Sequence, residues 1–266
     1  MKKLTPGIFF KKLVKILRGR PQIPPSLQDN QLLQTILKRR SIRSFTGQEI
    51  PEDAWSAILE AGRMAPSTVN LQTWSFIIFT QEQWRQTFDL PLPFGGKRAI
   101  IVLGDISRVK ESIDIFPQSP LVEYTVAVLN ASLAAMNMNI AAEALGISSV
   151  MLSETGKSGF FTARHLQEVL NLPPGVFPLM TIVFGYSKQP FAPLPPRLPM
   201  DQICASGKYP QADRKVLEDW LLEMKTAFKA ARPLWSFDGQ LRKYRDDIER
   251  AERELRSLVF REESGS

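Results

Sequence analysis

One stretch of the sequence, residues 124–142, contains no charged side chain. Its length and apolar character suit either a membrane span or a helix buried in a protein core. The stretch carries three amides, Asn130, Asn137 and Asn139, and many of its other residues are small rather than strongly apolar. Because a helix that faces hydrocarbon rarely tolerates three amides, we predict a long buried helix over residues 121–145, ended by Gly146. A chain of 266 residues is long enough to build one sizeable core around such a helix.

Hydrophobic periodicity predicts strands and further helices around this stretch. Apolar, β-branched runs of strand length predict four β-strands, at residues 74–80, 98–105, 148–152 and 178–186. Helical spacing predicts a helix from a cap at Asp29 or Asn30 to Lys38, and others at residues 51–63, 160–170, 216–231 and 241–260. Since the strands and helices do not alternate strictly, the pattern predicts an α+β architecture.

The scarcity of cysteine and histidine excludes several kinds of chemistry. The chain has one cysteine, Cys204, and one histidine, His165. It therefore cannot form an internal disulfide, a Cys-based zinc site or a multi-His metal site, and the lone cysteine fits a reducing, cytoplasmic compartment. The sequence also lacks the glycine-rich motifs of Rossmann folds and P-loops. A cofactor held by other means would have to carry any difficult chemical step.

The net charge of +7 arises from one terminal arm. Residues 1–20 contain seven Lys and Arg and no acid, and the rest of the chain carries 27 basic and 27 acidic residues. A nucleic-acid partner is therefore not expected, because a duplex-binding domain usually carries a basic face within its fold. The arm also has an apolar stripe at helical spacing: Ile8, Phe9, Leu13, Val14 and Leu17. Such a basic amphipathic helix can lie on an anionic membrane surface, or can pack against the body or a partner subunit.

A cationic segment follows the predicted helix that ends at Lys38. The β-branched Ile42 favours an extended path, in which residues two apart share a face. Arg39, Ser41 and Arg43 would then point the same way and present two guanidinium groups with a hydroxyl between them. Arginine binds phosphate through paired hydrogen bonds, so this arrangement suits a phosphate monoester. A solvated basic turn is the alternative for this segment taken alone.

A polar loop at residues 65–74 joins a predicted helix to the first predicted strand. It contains two hydroxyls, two amides and a terminal aromatic residue: Ser67, Thr68, Asn70, Gln72 and Trp74. Amides can pair with the donor and acceptor edge of a heteroaromatic ring. Taken alone, the loop is better explained as a polar connection between a helix and a strand.

Together, the two segments resemble the nitroreductase family of FMN enzymes. In that family an Arg-x-Ser-x-Arg/Lys segment precedes a Pro-Ser-x-x-Asn-x-Gln-Pro-Trp loop, and here Arg39 and Pro66 begin the matching segments. Three further stretches are similar to the family's central helix, its closing helix and strand, and its tail: residues 137–147, 170–186 and 195–198. The resemblance covers residues 30–205 and implies an α+β fold with a central, mainly antiparallel sheet flanked by helices, in an interlocked homodimer.

The resemblance also implies roles for individual residues. Five would hold the phosphate and ribityl end of FMN: Arg39, Arg40, Ser41, Arg43 and Arg197. Four would reach the flavin of the opposite subunit, with Gln72 nearby: Pro66, Ser67, Thr68 and Asn70. Backbone N–H groups around Ser153 and Glu154 would lie near the reactive edge of the isoalloxazine, where they would stabilise negative charge as hydride arrives.

The sequence departs from the family pattern at three places. Thr73 stands where proline is usual, which predicts a less rigid loop. Asn130 stands where an acid is common in the long helix. Residues 151–154 lack the glycine expected there, which predicts an unusual substrate pocket.

The resemblance implies an enzyme that passes hydride from NAD(P)H through FMN to an electron-poor small molecule, such as a nitroaromatic or a quinone. Both substrates would use the same face in turn, a ping-pong scheme that requires no catalytic side chain. Two alternatives stay open. One is a flavin dehydrogenase that acts oxidatively on a specific metabolite or peptide, and the other is a non-catalytic membrane-surface binding protein on the same scaffold.

The pattern along the chain predicts three segments. Residues 1–25 would form the basic arm and linker, residues 26–208 the FMN-binding domain, and residues 209–266 a helical C-terminal extension. A cytoplasmic location is expected, with peripheral membrane attachment if the arm binds lipid.

Overall fold

The computed structural model describes residues 4–113, 115–116, 119–153, 161–189 and 192–260. The chain divides into two compact units. One unit comprises Pro25–Pro190 and Tyr244–Ser266, and we call it the sheet unit. The other comprises Met1–Pro24 and Phe191–Lys243, and we call it the helical unit.

The sheet unit is built on a four-stranded antiparallel sheet. Its strands are β1 (Trp74–Thr80), β2 (Arg98–Asp105), β3 (Ser148–Ser153) and β4 (Val176–Gly185), in the order β1-β2-β4-β3. The central strands β2 and β4 are buried along nearly their whole length, which explains why both are almost continuously apolar. The predicted α+β architecture with a mainly antiparallel sheet is therefore confirmed.

The helices include every one that the periodicity predicted and two short ones that it did not. In chain order they are α1 (Pro6–Arg18), α2 (Gln31–Lys38), α3 (Glu52–Arg63), α4 (Gln81–Phe88), α5 (Ser107–Ser112), α6 (Pro120–Ala144), α7 (Ala163–Val169), α8 (Arg214–Ala231) and α9 (Phe237–Val259). The two that were not predicted are α4 and α5. Helix α4 is polar apart from Trp84 and Phe88, and Thr80 and Gln83 form the capping box that starts it.

Helix α6 is the core helix of the sheet unit. By length and composition alone it could cross a membrane, a test that a soluble core helix also passes. Its small residues pack against α3 and the sheet, with Ala127, Ala131, Ala134 and Met138 fully buried. The predicted buried helix is present, one residue displaced at each end.

The three amides of α6 each bind a different element. Asn130 Nδ2 donates to Thr73 Oγ1 at 2.8 Å, Asn137 Nδ2 to the Ala61 carbonyl at 3.1 Å, and Asn139 Nδ2 to Ser149 Oγ at 2.6 Å. Buried amides are stable where they find such partners, so these bonds account for amides inside an apolar helix.

Within the helical unit, α1 packs on α8. Ile16 is the buried residue of α1, and two lysines of the same helix meet acidic residues of α8. Lys12 binds Asp219 and Glu223, and Lys15 Nζ lies 2.5 Å from Glu223 Oε1. Burial opposes the charge of Lys12, but hydrogen bonds to Asp219 and Glu223 outweigh it and raise the pKa of Lys12. The basic arm therefore forms a helix, one face of which packs against α8.

Candidate functional site

The cationic segment is attached by its backbone to the outer edge of β3. Helix α2 ends at Lys38, and Arg39 caps it with a non-helical backbone. Ser41 then forms a parallel bridge with Ser149, and the Ile42 N–H donates to the Ser149 carbonyl at 3.0 Å. Ile42 is buried while Ser41 and Arg43 are exposed, so these two side chains share the solvent side of an extended segment.

Two half-buried arginines stand at the start of this segment. Arg40 Nη1 donates to the carbonyls of Leu37 and Arg39, at 2.7 Å and 2.8 Å. Arg39 Nε is buried and has no hydrogen-bond partner among the described residues. Burial raises the pKa of the nearby Glu143, and the charges of Arg39 and Arg40 oppose that rise. An anion beside Arg39 would therefore find a donor that the protein itself leaves unused.

Strand β3 connects the cationic segment to the position predicted for the flavin ring. Ser149 lies beside Ser41, and Ser153 ends the same strand, where it pairs with Met180. A strand advances about 3.3 Å per residue, so Ser149 and Ser153 are about 13 Å apart. Glu154, the other residue predicted there, lies outside the described residues.

The polar loop before β1 has an uncommon backbone. Val69, Asn70 and Gln72 have positive φ angles of 48°, 57° and 50°. Asparagine tolerates this region, but a β-branched residue such as Val69 adopts it rarely, at a cost of about 1–3 kcal/mol. The Val69 side chain is also 86% exposed, so no burial compensates for the strain. Such a strained, exposed residue marks this loop as a candidate functional segment.

Asn130 of α6 holds this loop in place. Its Oδ1 accepts from the backbone N–H of Thr68 at 3.0 Å and from Thr68 Oγ1 at 3.1 Å, while its Nδ2 donates to Thr73 Oγ1. Thr73 is fully buried. Thr73 and Asn130, which both depart from the family pattern, are therefore hydrogen-bonded to each other. The sequence predicted a less rigid loop at Thr73, but this bond holds the loop against α6. Other bonds of the loop are internal, such as Gln72 N–H to Ser67 Oγ at 3.1 Å, and the Thr73 carbonyl accepts from the Asp105 N–H at 3.0 Å.

The structure does not bring the two predicted segments together within one chain. The loop precedes β1, at one edge of the sheet, and the cationic segment lies beyond β3 at the other edge. Trp74 pairs with Gly104 of β2, which pairs with Phe177 of β4, whereas Ser149 of β3 pairs with Phe184 of β4. Across the sheet, Trp74 and Ser41 are four strand spacings of about 4.8 Å apart. Along the strands they are offset by seven residues of about 3.3 Å, so the two residues are separated by about 30 Å.

The other predicted residue, Arg197, belongs to the helical unit, where it is exposed. Among the described residues, the cavities of the sheet unit include two that bear on the site. One of about 670 Å³ lies between α3 and β1 and is bordered by Gln72 and Trp74. The larger, about 740 Å³, lies around Trp84 and Phe94 and contains none of the predicted residues, so we do not assign it to the site.

Sequence reasoning did not give a role to Asn130, Thr73 or the Asn139–Ser149 pair. The amides in an otherwise apolar helix were the available signal, but a sequence does not reveal their partners. Asn139 Oδ1 is buried without a partner among the described residues, close to the Ser149 position that anchors the cationic segment.

Comparison with known proteins identifies relatives of the chain. It is 28% identical over 199 residues to FMN reductase [NAD(P)H] of Bacillus subtilis, which covers 69% of this chain and 76% of that one. It is 26% identical over 194 residues to oxygen-insensitive NADPH nitroreductase of Salmonella typhimurium, covering 70% and 77%. Among solved structures, NfrA2 of B. megaterium superposes with a TM-score of 0.72 at 20% identity, over 87% of this chain and 96% of that one, which shows a shared fold.

The family model for the nitroreductase family matches residues 36–93 and 93–186. The matched region is more than half of the chain and contains the cationic segment, the loop before β1, helix α6 and strands β1 to β4. The chain therefore belongs to the nitroreductase family, and its sheet unit has the nitroreductase fold.

Proposed function

We propose that the chain is an FMN-dependent NAD(P)H oxidoreductase that delivers reducing equivalents to an electron-poor acceptor, a nitroaromatic, quinone or similar molecule. The two relatives described above are named for FMN reduction and NADPH-dependent nitroreduction. When bound, FMN would take hydride from NAD(P)H and pass it to the acceptor, with both substrates using one face in turn. The chain's single free cysteine, Cys204, is exposed, which agrees with a reducing, cytoplasmic location.

One observation carries the proposal. The cationic segment and Ser153, chosen from separate parts of the sequence, lie along the same strand, with the Ser41–Ser149 bridge at one end of β3 and Ser153 at the other. We assign the FMN phosphate to Arg39, Arg40, Ser41 and Arg43, and the ring edge to the end of β3. The buried Arg39 Nε supports the phosphate end, because an anionic oxygen would satisfy that donor.

The residues of this chain would position, shield and polarise the flavin. Backbone N–H groups at the end of β3 would stabilise negative charge on the ring. No side chain of the chain needs to act as an acid or a base, and among the described residues no group of three or more His, Cys, Asp or Glu could hold a metal ion.

The distance between the two segments supports a homodimer. About 30 Å separates Ser41 from Trp74 in one chain, which favours a site in which the loop before β1 reaches the flavin of another subunit. We therefore propose that Pro66, Ser67, Thr68 and Asn70, with Gln72 nearby, contact the flavin bound by the partner subunit.

The outer face of α6 offers a surface for that dimer. Opposite its buried alanines, the helix exposes Leu121, Val122, Leu129 and Leu133. Exposed apolar residues of this kind, on a helix whose residues 124–142 carry no charge, are typical of a subunit interface.

The proposal is tested on the purified protein. We expect a yellow preparation whose flavin spectrum bleaches on addition of NADPH without oxygen and returns on addition of a quinone or nitroaromatic. Parallel double-reciprocal plots would establish the ping-pong scheme, and sedimentation would give a dimer. A protein that neither contains nor takes up FMN would refute the proposal. A flavin that NAD(P)H leaves oxidised, but that a metabolite reduces, would indicate the oxidative dehydrogenase instead.

A further inference from the structure

The charge of the chain is divided unequally between its two units. The helical unit contains 16 Lys and Arg and 6 Asp and Glu, a net charge of +10. The sheet unit contains the remaining 18 and 21, a net charge of −3. The excess of positive charge therefore comes mainly from the terminal arm, with seven Lys and Arg, and partly from Phe191–Lys243, which contains nine Lys and Arg and six Asp and Glu.

Helix α1 has a second apolar face that does not pack on α8. Its packed face is centred on Ile16 and on Lys12, which is paired with α8. Phe10, Val14 and Leu17 are spaced three and four residues apart, so they share another face, and all three are exposed, Phe10 by 64%. Lys11 and Arg18, both exposed, flank this stripe.

The turn between α8 and α9 exposes a second apolar group in the same unit. Leu234 is 96% exposed and Trp235 is 62% exposed. The turn is held in shape by Lys229, whose Nζ donates to the Pro233 carbonyl at 2.8 Å, and by the Trp235 N–H, which donates to the Arg232 carbonyl at 3.0 Å. A tryptophan and a leucine are thus presented to solvent beside two cations.

We propose that the helical unit binds an anionic lipid surface, through the outer face of α1 and the Leu234–Trp235 turn. A bilayer interface takes aromatic and aliphatic side chains below the headgroups and Lys and Arg among them, and both sets are present here. A nucleic acid matches the cations but leaves the aliphatic residues in contact with a polar partner. A second copy of the chain is a poorer electrostatic match, because it would present either the same helical unit, with a net charge of +10, or a sheet unit with a net charge of only −3. Lipid binding would not depend on the flavin chemistry proposed above.

Sedimentation with vesicles tests this proposal on the full-length, flavin-loaded protein. The probe is a vesicle of equal parts phosphatidylglycerol and phosphatidylcholine, compared with pure phosphatidylcholine. We expect binding to the anionic vesicles at about 0.1 M ionic strength and release at about 1 M, because the Debye length falls from about 10 Å to about 3 Å.

Point variants locate the surface better than a truncation would. Deleting α1 would leave the buried Glu223 without Lys12 and Lys15, so the unit itself would be damaged. The double variant Lys11→Gln/Arg18→Gln keeps those pairs and should weaken binding about thirty-fold, a factor of about five for each cation. Arg85→Gln/Arg253→Gln, which removes two exposed cations of the sheet unit, is the matched control and should bind as the parent does.

The apolar contribution has its own pair of variants. Phe10→Ser/Leu17→Ser and Trp235→Ser should each weaken binding at least about ten-fold, whereas Leu32→Ser, an exposed leucine of α2, should not. Unchanged far-UV circular dichroism shows that each variant keeps its helices. The proposal is overturned if the parent does not bind anionic vesicles, or if it binds both vesicle types equally. It is also overturned if the helical-unit variants bind as their controls do, or if the protein binds DNA more tightly than anionic vesicles at the same ionic strength.

Discussion

The two segments that we assign to the flavin are held in place by different kinds of bond. The cationic segment is fixed through its backbone, by the Ile42 N–H to the Ser149 carbonyl and by the Lys188 N–H to the Ser44 carbonyl, both at 3.0 Å. The loop before β1 is held mainly through one side chain, that of Asn130, and at its end by a backbone bond from the Asp105 N–H to the Thr73 carbonyl at 3.0 Å. Backbone anchors survive most substitutions, so changes in the first segment should affect binding alone. A single substitution should disorganise the second.

The largest effect is expected for Asn130→Ala. The change removes the partners of the Thr68 N–H, the Thr68 hydroxyl and the buried Thr73 hydroxyl. A buried unsatisfied group costs about 1–3 kcal/mol, and each bond to the exposed Thr68 contributes about 0.5–1.5 kcal/mol, so we expect about 2 kcal/mol or more of lost unfolding free energy in urea, together with weaker FMN retention. Asn137→Ala is the matched control on the same helix, because it loses one bond to the Ala61 carbonyl and should cost about 1 kcal/mol.

Asn130→Asp sharpens the same comparison. A carboxylate can accept from Thr68 as the amide does, and the Thr73 hydroxyl can rotate to donate to it. We expect this variant to recover FMN retention that Asn130→Ala loses. If Asn130→Ala matches Asn137→Ala in both stability and FMN retention, Asn130 does not position the loop.

The next largest effect is expected for Arg43→Ala, in the backbone-anchored segment. A charge-assisted bond to phosphate contributes about 1.5–3 kcal/mol, so FMN should bind about 10- to 150-fold more weakly, as measured by titration of flavin fluorescence. The melting temperature of the flavin-free protein should stay near that of the parent, since Arg43 is exposed and its segment is held by backbone bonds. Arg85→Ala is the control. If Arg43→Ala binds FMN as tightly as the parent, the FMN phosphate does not bind to this segment.

A smaller effect of opposite sign is expected for Val69→Gly and Val69→Asn. Both residues accept a positive φ more easily than valine, so the flavin-free protein should gain about 0.5–1 kcal/mol of unfolding free energy. If the strained loop is preorganised for the partner's flavin, Val69→Gly should also lower the affinity for FMN, because glycine frees the loop. A loss of stability in both variants would show that Val69 is not strained.

The smallest effect concerns Glu143, beside Arg39 and Arg40. Burial raises the pKa of this carboxyl, so the folded protein disfavours its charged form relative to the unfolded chain. The resulting penalty is absent below the ordinary pKa of 4.5 and grows as the pH rises through the folded pKa. Glu143→Gln should therefore be slightly more stable than the parent near neutral pH, and the gain should vanish in acid. A variant that is less stable at neutral pH would mean that the pairing with arginine outweighs burial.

Much of the local structure was predictable from local patterns. Strands β1 and β2 begin and end where the apolar, β-branched runs do, because burial in a sheet selects such runs directly. The two segments assigned to the flavin were also found from local motifs. Helix α4 was not predicted, because a short polar helix with two buried aromatics has too few apolar positions to show a period.

What only the tertiary structure decided concerns residues far apart in the chain. Asn130 and Thr73 are 57 positions apart, and their bond depends on how α6 crosses the start of β1. The strand order β1-β2-β4-β3 is not the order of the sequence, so the distance of about 30 Å between the two segments could not be inferred from their spacing along the chain. Likewise, the periodicity of α1 indicates an amphipathic helix, but only its ion pairs with α8 show which face is packed and which is free. Local side-chain chemistry determines the elements, whereas the partners of buried polar groups are set by packing between them.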